Sequence, residues 1–381
     1  MRTKILQHLS LVLAALLFNA CCHDDDPVKP ASTRTVLVYI AGDNNLSDYI
    51  NYNLEQMIEG ARKGGLNQCD FLIYTDRATT TPALYQLKAD ETGRIDTVRI
   101  RDYAEHNSAT PEVLRQVVEE AFTAFPSDHY GLVLWSHATA WLPNAGRDLT
   151  RSFGTDGDET IEIDELADAL AAYHFDYILF DACYMGAVEV AYELRERAAQ
   201  IIASPTEVMG SGFPYTTITP MLCETNFDGT SVAQAFYDFY DAQSGYARSA
   251  TVSVVDTKSL DQLAAACREV LAGKSEAEIF AVDPDALQPL EFLKSSGRHY
   301  LFDLGDYIQA LATDEQYTNF RVALNQAIPY RATTPYAFFA APYEAVKIER
   351  FSGLSVYLPG EGLATLNEWY KRLAWYQAVY L

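Results

Sequence analysis

Two side chains that could do nucleophilic chemistry each follow a short apolar run. The run Y-G-L-V-L-W-S-H ends on His137, and the run Y-I-L-F-D-A-C ends on Cys183. Apolar runs of this length, bounded by polar residues, are typical of buried strands in a parallel sheet. Because ligands bind beyond the carboxyl ends of such strands, we expect both side chains at one rim. A thiol and an imidazole there are the minimum for thiolate catalysis, with Cys183 attacking and His137 carrying the proton.

The segment after Cys183 favours this catalytic interpretation. Apolar residues recur with helical spacing from Tyr184 to Arg197, so the sequence predicts a helix that begins directly after the cysteine. The positive end of that helix would favour a thiolate. Asp181 lies two residues upstream, on the same strand face as Cys183 if the strand is still extended there. The alternative interpretation is a buried core cysteine and a histidine that only caps its strand.

Both residues stand within longer sequence blocks. W-S-H-A-T-A-W covers residues 135–141, D-A-C-Y-M-G-A-V-E-V-A-Y-E-L covers 181–194, and V-L-V-Y-I-A-G-D-N-N-L covers 36–46. Two further blocks, D-L-G-D-Y and G-L-S-V-Y-L-P, begin at residues 303 and 353. In these blocks the chain resembles the clostripain family of cysteine peptidases, which share a caspase-like fold. The resemblance implies an α/β three-layer sandwich with a mostly parallel sheet, and a cysteine endopeptidase. Calcium dependence is known in that family, whereas the residue spacings of this chain predict no cofactor.

The resemblance also implies roles for single positions. The backbone N–H groups of Ala138 and Cys183 would face the oxyanion, and the family usually has Gly where this chain has Ala138. Asp181 would lie near the pocket for the substrate residue before the cleaved bond, which in relatives is Arg or Lys. Ser211 stands where relatives usually have Asp, so we expect weak selectivity for a basic residue. Glu207, in the same loop, is a second candidate carboxylate.

A Gly- and Asp-rich segment, residues 142–159, follows the histidine block. It has few periodic apolar residues, so we expect an exposed loop that is open to proteolysis. Relatives that process themselves do so in this region after a basic residue, and Arg147 and Arg151 are available here. The stretch G-T-D-G-D-E within it resembles a calcium loop but lacks the EF-hand spacing, so a flexible acidic loop is the favoured interpretation.

The N-terminus is expected to lie outside the fold. Two basic residues precede an apolar stretch from Leu9 to Phe18, and Cys21 follows, which is the layout of a secretory signal. Residues 1–21 resemble a bacterial lipoprotein signal with Cys21 as the acylated residue, and an ordinary signal peptide is the alternative. Residues 22–34 are predicted to be a polar tether, in which Asp24–Asp26 is either an acidic export tag or a solvated linker. The resemblance implies a bacterial cell envelope protein, held at the outer membrane or cell surface by its lipid alone.

The net charge and the order of strands and helices limit the classes of binding partner and of fold. The chain has 381 residues and a formal net charge of −24, which argues against nucleic acid and against anionic lipid surfaces. Strands and helices alternate over residues 35–275, which predicts a doubly wound sheet. The pattern loosens over residues 276–381, which we expect to be a C-terminal subdomain packed on the first.

Two functional hypotheses follow from these patterns. The first is a cell-envelope cysteine endopeptidase that acts on peptide or protein substrates. The second is a catalytically silent surface binding protein that retained the fold, which Ala138 and Ser211 motivate. Retention of both His137 and Cys183 argues against the second, since a binding groove needs neither side chain.

Overall fold

The structure, a computed structural model, describes residues 32–142, 152–291, 298–338 and 345–381. The strands within these ranges are β1 Arg34–Gly42, β2 Cys69–Arg77, β3 Thr80–Ala89, β4 Ile95–Asp102, β5 Tyr130–Trp135, β6 Phe153–Asp156, β7 Glu159–Ile161, β8 Phe175–Asp181, β9 Ala198–Ala203, β10 Thr251–Asp256, β11 Leu301–Asp303, β12 Tyr330–Thr333, β13 Tyr336–Phe338, β14 Ala345–Lys347 and β15 Ser355–Tyr357. The helices are α1 Ser47–Gly64, α2 Pro111–Ala124, α3 Ile163–Ala169, α4 Val188–Glu193, α5 Tyr215–Leu222, α6 Gly229–Asp241, α7 Leu260–Leu271, α8 Glu276–Phe280, α9 Leu304–Leu311, α10 Asp314–Ala327, α11 Ala364–Tyr370 and α12 Ala374–Tyr380.

Nine of these strands form one mixed sheet, in the order β12, β10, β9, β8, β5, β1, β2, β3 and β4. The five central strands, β9, β8, β5, β1 and β2, are parallel. The strands at both edges pair antiparallel. The predicted α/β class with a parallel core is therefore confirmed.

Each face of the sheet carries its own hydrophobic core. Along β1, Val36 and Val38 belong to one core with residues of α1, α5 and α6, while Leu37 and Tyr39 belong to the other with residues of α2, α3, α4 and α7. All four side chains are fully buried. Because successive side chains of a strand point to opposite faces, a continuous apolar run indicates burial on both sides. The result is the predicted arrangement of three layers.

The segment after residue 275 packs directly on this sheet. β12 extends the sheet by antiparallel pairing with β10, and the N–H of Ser355 in β15 donates to the carbonyl of Gly186 at 3.0 Å. The described residues from 32 to 381 form one compact unit. The chain closes with two helices, α11 and α12, which residues 371–373 separate. The boundary near residue 275 stays a prediction.

Residues 1–31, with the proposed signal and Cys21, lie outside the described residues. Among the helices of the described ranges, none combines the length and the hydropathy of a membrane-crossing segment. Of the remaining cysteines, Cys69, Cys223 and Cys267 are buried and carry free thiols.

Candidate active site

The strands that carry the histidine and the cysteine are neighbours and end at the same level. In the parallel pair β5 and β8, Trp135 lies opposite Asp181. His137 and Cys183 each follow two residues after that pair, and both are partly buried. The structure thus places the two predicted side chains at adjacent strand ends on one rim of the sheet.

The Cys183 thiol contacts the loop formed by residues 204–213, which we call the covering loop. The N–H of Val208 donates to Cys183 Sγ at 3.4 Å, and the thiol faces the carbonyl oxygen of Val208 at 3.8 Å. The phenol of Tyr184 donates to Glu207 in the same loop at 3.0 Å. Burial, and after it the negative charge of Glu207, raise the pKa of the Cys183 thiol to about 12. In this conformation the sulfur is therefore protonated at neutral pH.

The predicted helix after Cys183 is shorter than its apolar spacing indicates. Helix α4 begins only at Val188, so Cys183 lies five residues before it and not at its N-terminus. Tyr184 has a φ of 64°, in the left-handed region, and its N–H donates to the carbonyl of Thr206 at 2.9 Å. The N–H of Gly186 donates likewise to Ser204 at 2.8 Å. The argument that a helix dipole activates the thiol is therefore wrong, because tertiary hydrogen bonds hold this segment in place of a first helical turn.

The histidine has a partner that the sequence analysis did not single out. Nε2 of His137 lies 2.5 Å from Oδ1 of Asn45, which belongs to the loop between β1 and α1. β1 runs parallel to β5, so this loop emerges at the same rim. The signal that could have found Asn45 is its place after a third buried strand, since polar residues at adjacent strand ends converge.

Ala138 can occupy its position without strain. It forms an antiparallel bridge with Phe153, in which Gly154 donates to His137 at 3.0 Å and Thr139 donates to Ser152 at 3.2 Å. The φ angle of Ala138 is not in the left-handed region, so the position does not require glycine. Neither of these two hydrogen bonds uses the N–H of Ala138.

Asp181 faces the covering loop and the start of α5. Its Oδ2 accepts hydrogen bonds from the N–H of Phe213 at 3.1 Å and from the phenol of Tyr215 at 2.8 Å. The side chain is buried, and burial raises its pKa to about 6. A side chain at Gly212, which has a φ of 68°, would collide with Asp181 Oδ2. This close approach explains why glycine stands at that position.

Ser211 takes part in a hydrogen-bonded cluster at the end of the covering loop. Its Oγ lies 2.9 Å from the phenol oxygen of Tyr240, and that phenol donates to the carbonyl of Gly212 at 2.6 Å. Because a phenol has one hydrogen, Ser211 is the donor to Tyr240. The amide of Asn53 donates to the carbonyl of Ser211 at 2.9 Å. Helices α1 and α6 therefore both hold this end of the covering loop.

The segment after the histidine block differs in part from the predicted loop. Arg147 and Arg151 lie outside the described residues. Residues 153–156 form strand β6 and are buried, and they turn back into β7, so the predicted flexible acidic loop is wrong there. Asp156 is oriented inward, because its Oδ2 accepts the N–H of Ser108 at 2.8 Å. In the described parts of the chain, no group of three or more His, Cys, Asp or Glu residues is arranged to hold a metal ion.

Comparisons with known proteins point to one family. A sequence model of the clostripain family matches residues 38–380. Clostripain from Hathewaya histolytica is 26% identical over 215 residues, which is 48% of this chain and 41% of that protein. This chain thus spans less than half of that curated relative.

Two solved structures resemble the whole fold. An inactive zymogen protease from Parabacteroides distasonis is 44% identical with a TM-score of 0.85, and the match covers 93% of this chain and 100% of that one. A secreted cysteine protease from Bacteroides thetaiotaomicron, in complex with an irreversible peptide inhibitor, is 33% identical with a TM-score of 0.81. That match covers 91% of this chain and 98% of the other.

Proposed function

Because this chain belongs to the clostripain family of cysteine peptidases, we propose that it is an endopeptidase in which Cys183 is the nucleophile and His137 the proton carrier. The observation that carries the proposal is the register of β5 and β8, which delivers the two side chains to adjacent strand ends. The strand positions from Leu132 to Trp135 that fill the sheet core are apolar and buried, whereas His137 and Cys183 lie beyond the strand ends and are partly buried.

The reaction follows from the groups at the rim. His137 takes the proton of the Cys183 thiol, and the thiolate attacks the carbonyl carbon of the scissile peptide bond. The N–H groups of Ala138 and Cys183 donate to the oxyanion that forms. The imidazolium then gives its proton to the leaving amine, and water releases the acid from the thioester. Loss of one oxyanion donor costs roughly a hundredfold in rate.

The described conformation is a latent one. A thiol with a pKa raised to about 12, in contact with Val208, is a poor nucleophile. The covering loop has to move away from Cys183 before a substrate carbonyl can approach the sulfur. The solved relative that is an inactive zymogen supports a latent form for this chain as well. Cleavage after Arg147 or Arg151 would be the activating step.

The substrate is a peptide or protein, and its residue before the cleaved bond meets Asp181. A buried carboxylate can bind an Arg or Lys that would otherwise be an unpaired buried cation. Ser211 carries no charge, so Glu207 is the carboxylate that the covering loop offers. We therefore expect Arg to be accepted with weak preference over uncharged residues.

The site of action is the bacterial cell envelope. The secretory layout of residues 1–21, with Cys21 as lipid acceptor, supports export and an anchor at the outer membrane or cell surface. A solved relative that is secreted supports the same compartment.

The test is hydrolysis of a fluorogenic peptide library by the purified full chain and by Cys183→Ala. We expect the variant to lose all turnover and to keep the wild-type circular dichroism spectrum, because Cys183 lies beyond the end of β8 and the change removes only its sulfur. Cys267→Ala is the matched control: it removes another thiol, from helix α7, and should retain full turnover. Turnover near the wild-type level in Cys183→Ala would refute the proposed nucleophile.

A further inference from the structure

Asn45 contacts the ring of His137 through its amide oxygen, which can only accept a hydrogen bond. Asn45 Oδ1 lies 2.5 Å from His137 Nε2, so Nε2 is the nitrogen that carries the hydrogen. In a neutral imidazole the other nitrogen, Nδ1, then carries the lone pair. A base that removes a thiol proton needs its lone pair on the nitrogen that meets the sulfur.

Hydrogen bonds tie the loop that carries Asn45 to the segment that carries His137. The amide of Asn44 donates to the carbonyl oxygen of Ala41 at 3.1 Å. The hydroxyl of Ser136 donates to the same carbonyl oxygen at 2.6 Å. The residues directly before Asn45 and His137 therefore share one anchor at the end of β1. This common anchor ties the two segments together next to Asn45 and His137.

Asn44 also ties this loop to the far side of the histidine. Its Nδ2 donates to the carbonyl of Thr155 in β6 at 2.8 Å, and its Oδ1 accepts the N–H of Leu46 at 2.9 Å. β6 in turn binds the histidine backbone, since Gly154 donates to the His137 carbonyl at 3.0 Å. The loop that carries Asn45 is thus hydrogen-bonded both to the end of β1 and to β6.

We propose that Asn45 is a positioning residue that selects the Nε2–H tautomer of His137 and stabilises the imidazolium formed when Nδ1 takes the thiol proton. The inference rests on the proposed role of His137. A hydrogen bond from a charged donor is about twice as strong as one between neutral groups. The contact therefore contributes most at the step in which Cys183 loses its proton.

The tautomer is measured directly by nitrogen NMR of protein labelled with ¹⁵N-histidine, and the signal of His137 is assigned by its loss in His137→Gln. In neutral wild-type imidazole we expect Nε2 to be protonated. Asn45→Ala should produce a mixture of tautomers, and Asn45→Asp should raise the pKa of His137. Asn51→Ala is the matched control, because Asn51 is an exposed residue of α1 whose amide oxygen accepts from Arg77. A wild-type His137 protonated on Nδ1, or a ring unaffected by Asn45→Ala, would overturn the inference.

Alkylation of Cys183 by a peptidyl chloromethyl ketone, followed from about pH 5 to about pH 10, is the second readout. Asn45→Ala should slow alkylation roughly ten- to a hundredfold and move the alkaline limb to lower pH. Asn45→Asp should move that limb to higher pH, and Asn51→Ala should reproduce the wild-type profile. An unchanged profile in Asn45→Ala would contradict the inference. A wild type that is not alkylated at any pH would instead contradict the proposed enzyme, and the tautomer measurement would still decide the role of Asn45.

Discussion

At the scale of single residues, the candidate site places two reactive side chains at adjacent strand ends, but the thiol is protonated in this conformation. Cys183, the proposed nucleophile, follows the strand next to that of His137, yet burial and the charge of Glu207 raise the pKa of its thiol. Nothing in the geometry of Ala138 prevents its N–H from acting as a donor, so the replacement of glycine does not by itself indicate loss of activity. The functional question therefore concerns the covering loop and the histidine partner.

Ser211→Asp should sharpen the preference for Arg before the cleaved bond. A new carboxylate near Asp181 would pair with the guanidinium, and a charge-assisted contact of this kind changes the Arg-to-neutral ratio of kcat/KM by roughly ten- to a hundredfold. Profiling with a fluorogenic peptide library measures that ratio. Ser211→Asn, similar in size but uncharged, should leave it unchanged. A wild type that is already strictly Arg-specific, and indifferent to Ser211→Asp, would rule out this interpretation of the pocket.

At the scale of elements, the segment between Leu142 and Ser152 joins two residues that are packed in the fold. Leu142 and Ser152 are both buried, and β6 pairs back onto the chain next to His137. A cut between these points would separate the histidine and cysteine fragments of the chain without disturbing the strand pairs of the sheet. The fragments would remain associated through the parallel pairing of β5 with β8.

Purified wild-type protein should accordingly split slowly into two fragments that stay together. Cys183→Ala should remain whole, because the cut depends on the enzyme itself. Arg147→Gln combined with Arg151→Gln should also remain whole, whereas the matched change Arg94→Gln, at an exposed turn, should not prevent the cut. Intact mass spectrometry and size-exclusion chromatography identify the fragments and their association. Wild type that cleaves peptides but never splits would contradict the prediction.

The strands were the most predictable elements, and the site loops the least. Continuous apolar runs such as residues 36–40 have only one stable environment, the interior of a sheet covered on both faces. The helix cap at Thr110 was also predictable, since its hydroxyl accepts the N–H of Val113. Helix α10 is hard to predict from the sequence, because only Phe320, Ala323, Leu324 and Ala327 of its residues are buried, which gives a weak periodic signal.

Within the site, only the residues that directly follow buried apolar runs could be predicted. His137 and Cys183 followed from two buried runs, but the turn after Cys183 depends on hydrogen bonds to the covering loop, which is distant in sequence. Tertiary contacts of this kind override local helix spacing. Asn45 was missed for a similar reason, because a single loop asparagine has no periodicity and its partner lies 92 residues away.

At the scale of the whole molecule, a buried carboxyl joins the C-terminal segment to the helix after the cysteine. Glu189 in α4 is fully buried, and its Oε1 accepts the N–H of Tyr357 in β15 at 2.8 Å. Burial raises the pKa of Glu189 from 4.5 to about 7. Since the folded state then binds this proton more tightly than the unfolded state, its contribution to stability is complete below about pH 4.5 and is lost as the pH rises towards 7.

Glu189→Gln should therefore flatten the dependence of stability on pH. A neutral amide keeps the oxygen that Tyr357 needs and never becomes a buried charge, so at about pH 8 we expect the variant to be more stable by about 1–3 kcal/mol. Urea denaturation at about pH 5 and about pH 8 measures the free energy of unfolding. Glu196→Gln, an exposed neighbour, is the control and should follow wild type. If the free energy of unfolding falls equally between the two pH values in Glu189→Gln and in wild type, this account is refuted.

The most direct test of the whole account is labelling of Cys183 by a thiol-reactive peptide in wild type, His137→Ala and His129→Ala. His129 is the matched control, because it lies at the opposite end of the same strand and pairs with Asp176 at 2.9 Å. We expect dose-dependent modification of Cys183, located by mass spectrometry, in wild type and His129→Ala. Labelling should be lost in His137→Ala. Equal labelling in all three proteins, or no labelling of wild type under any condition, would contradict the proposed histidine–cysteine peptidase.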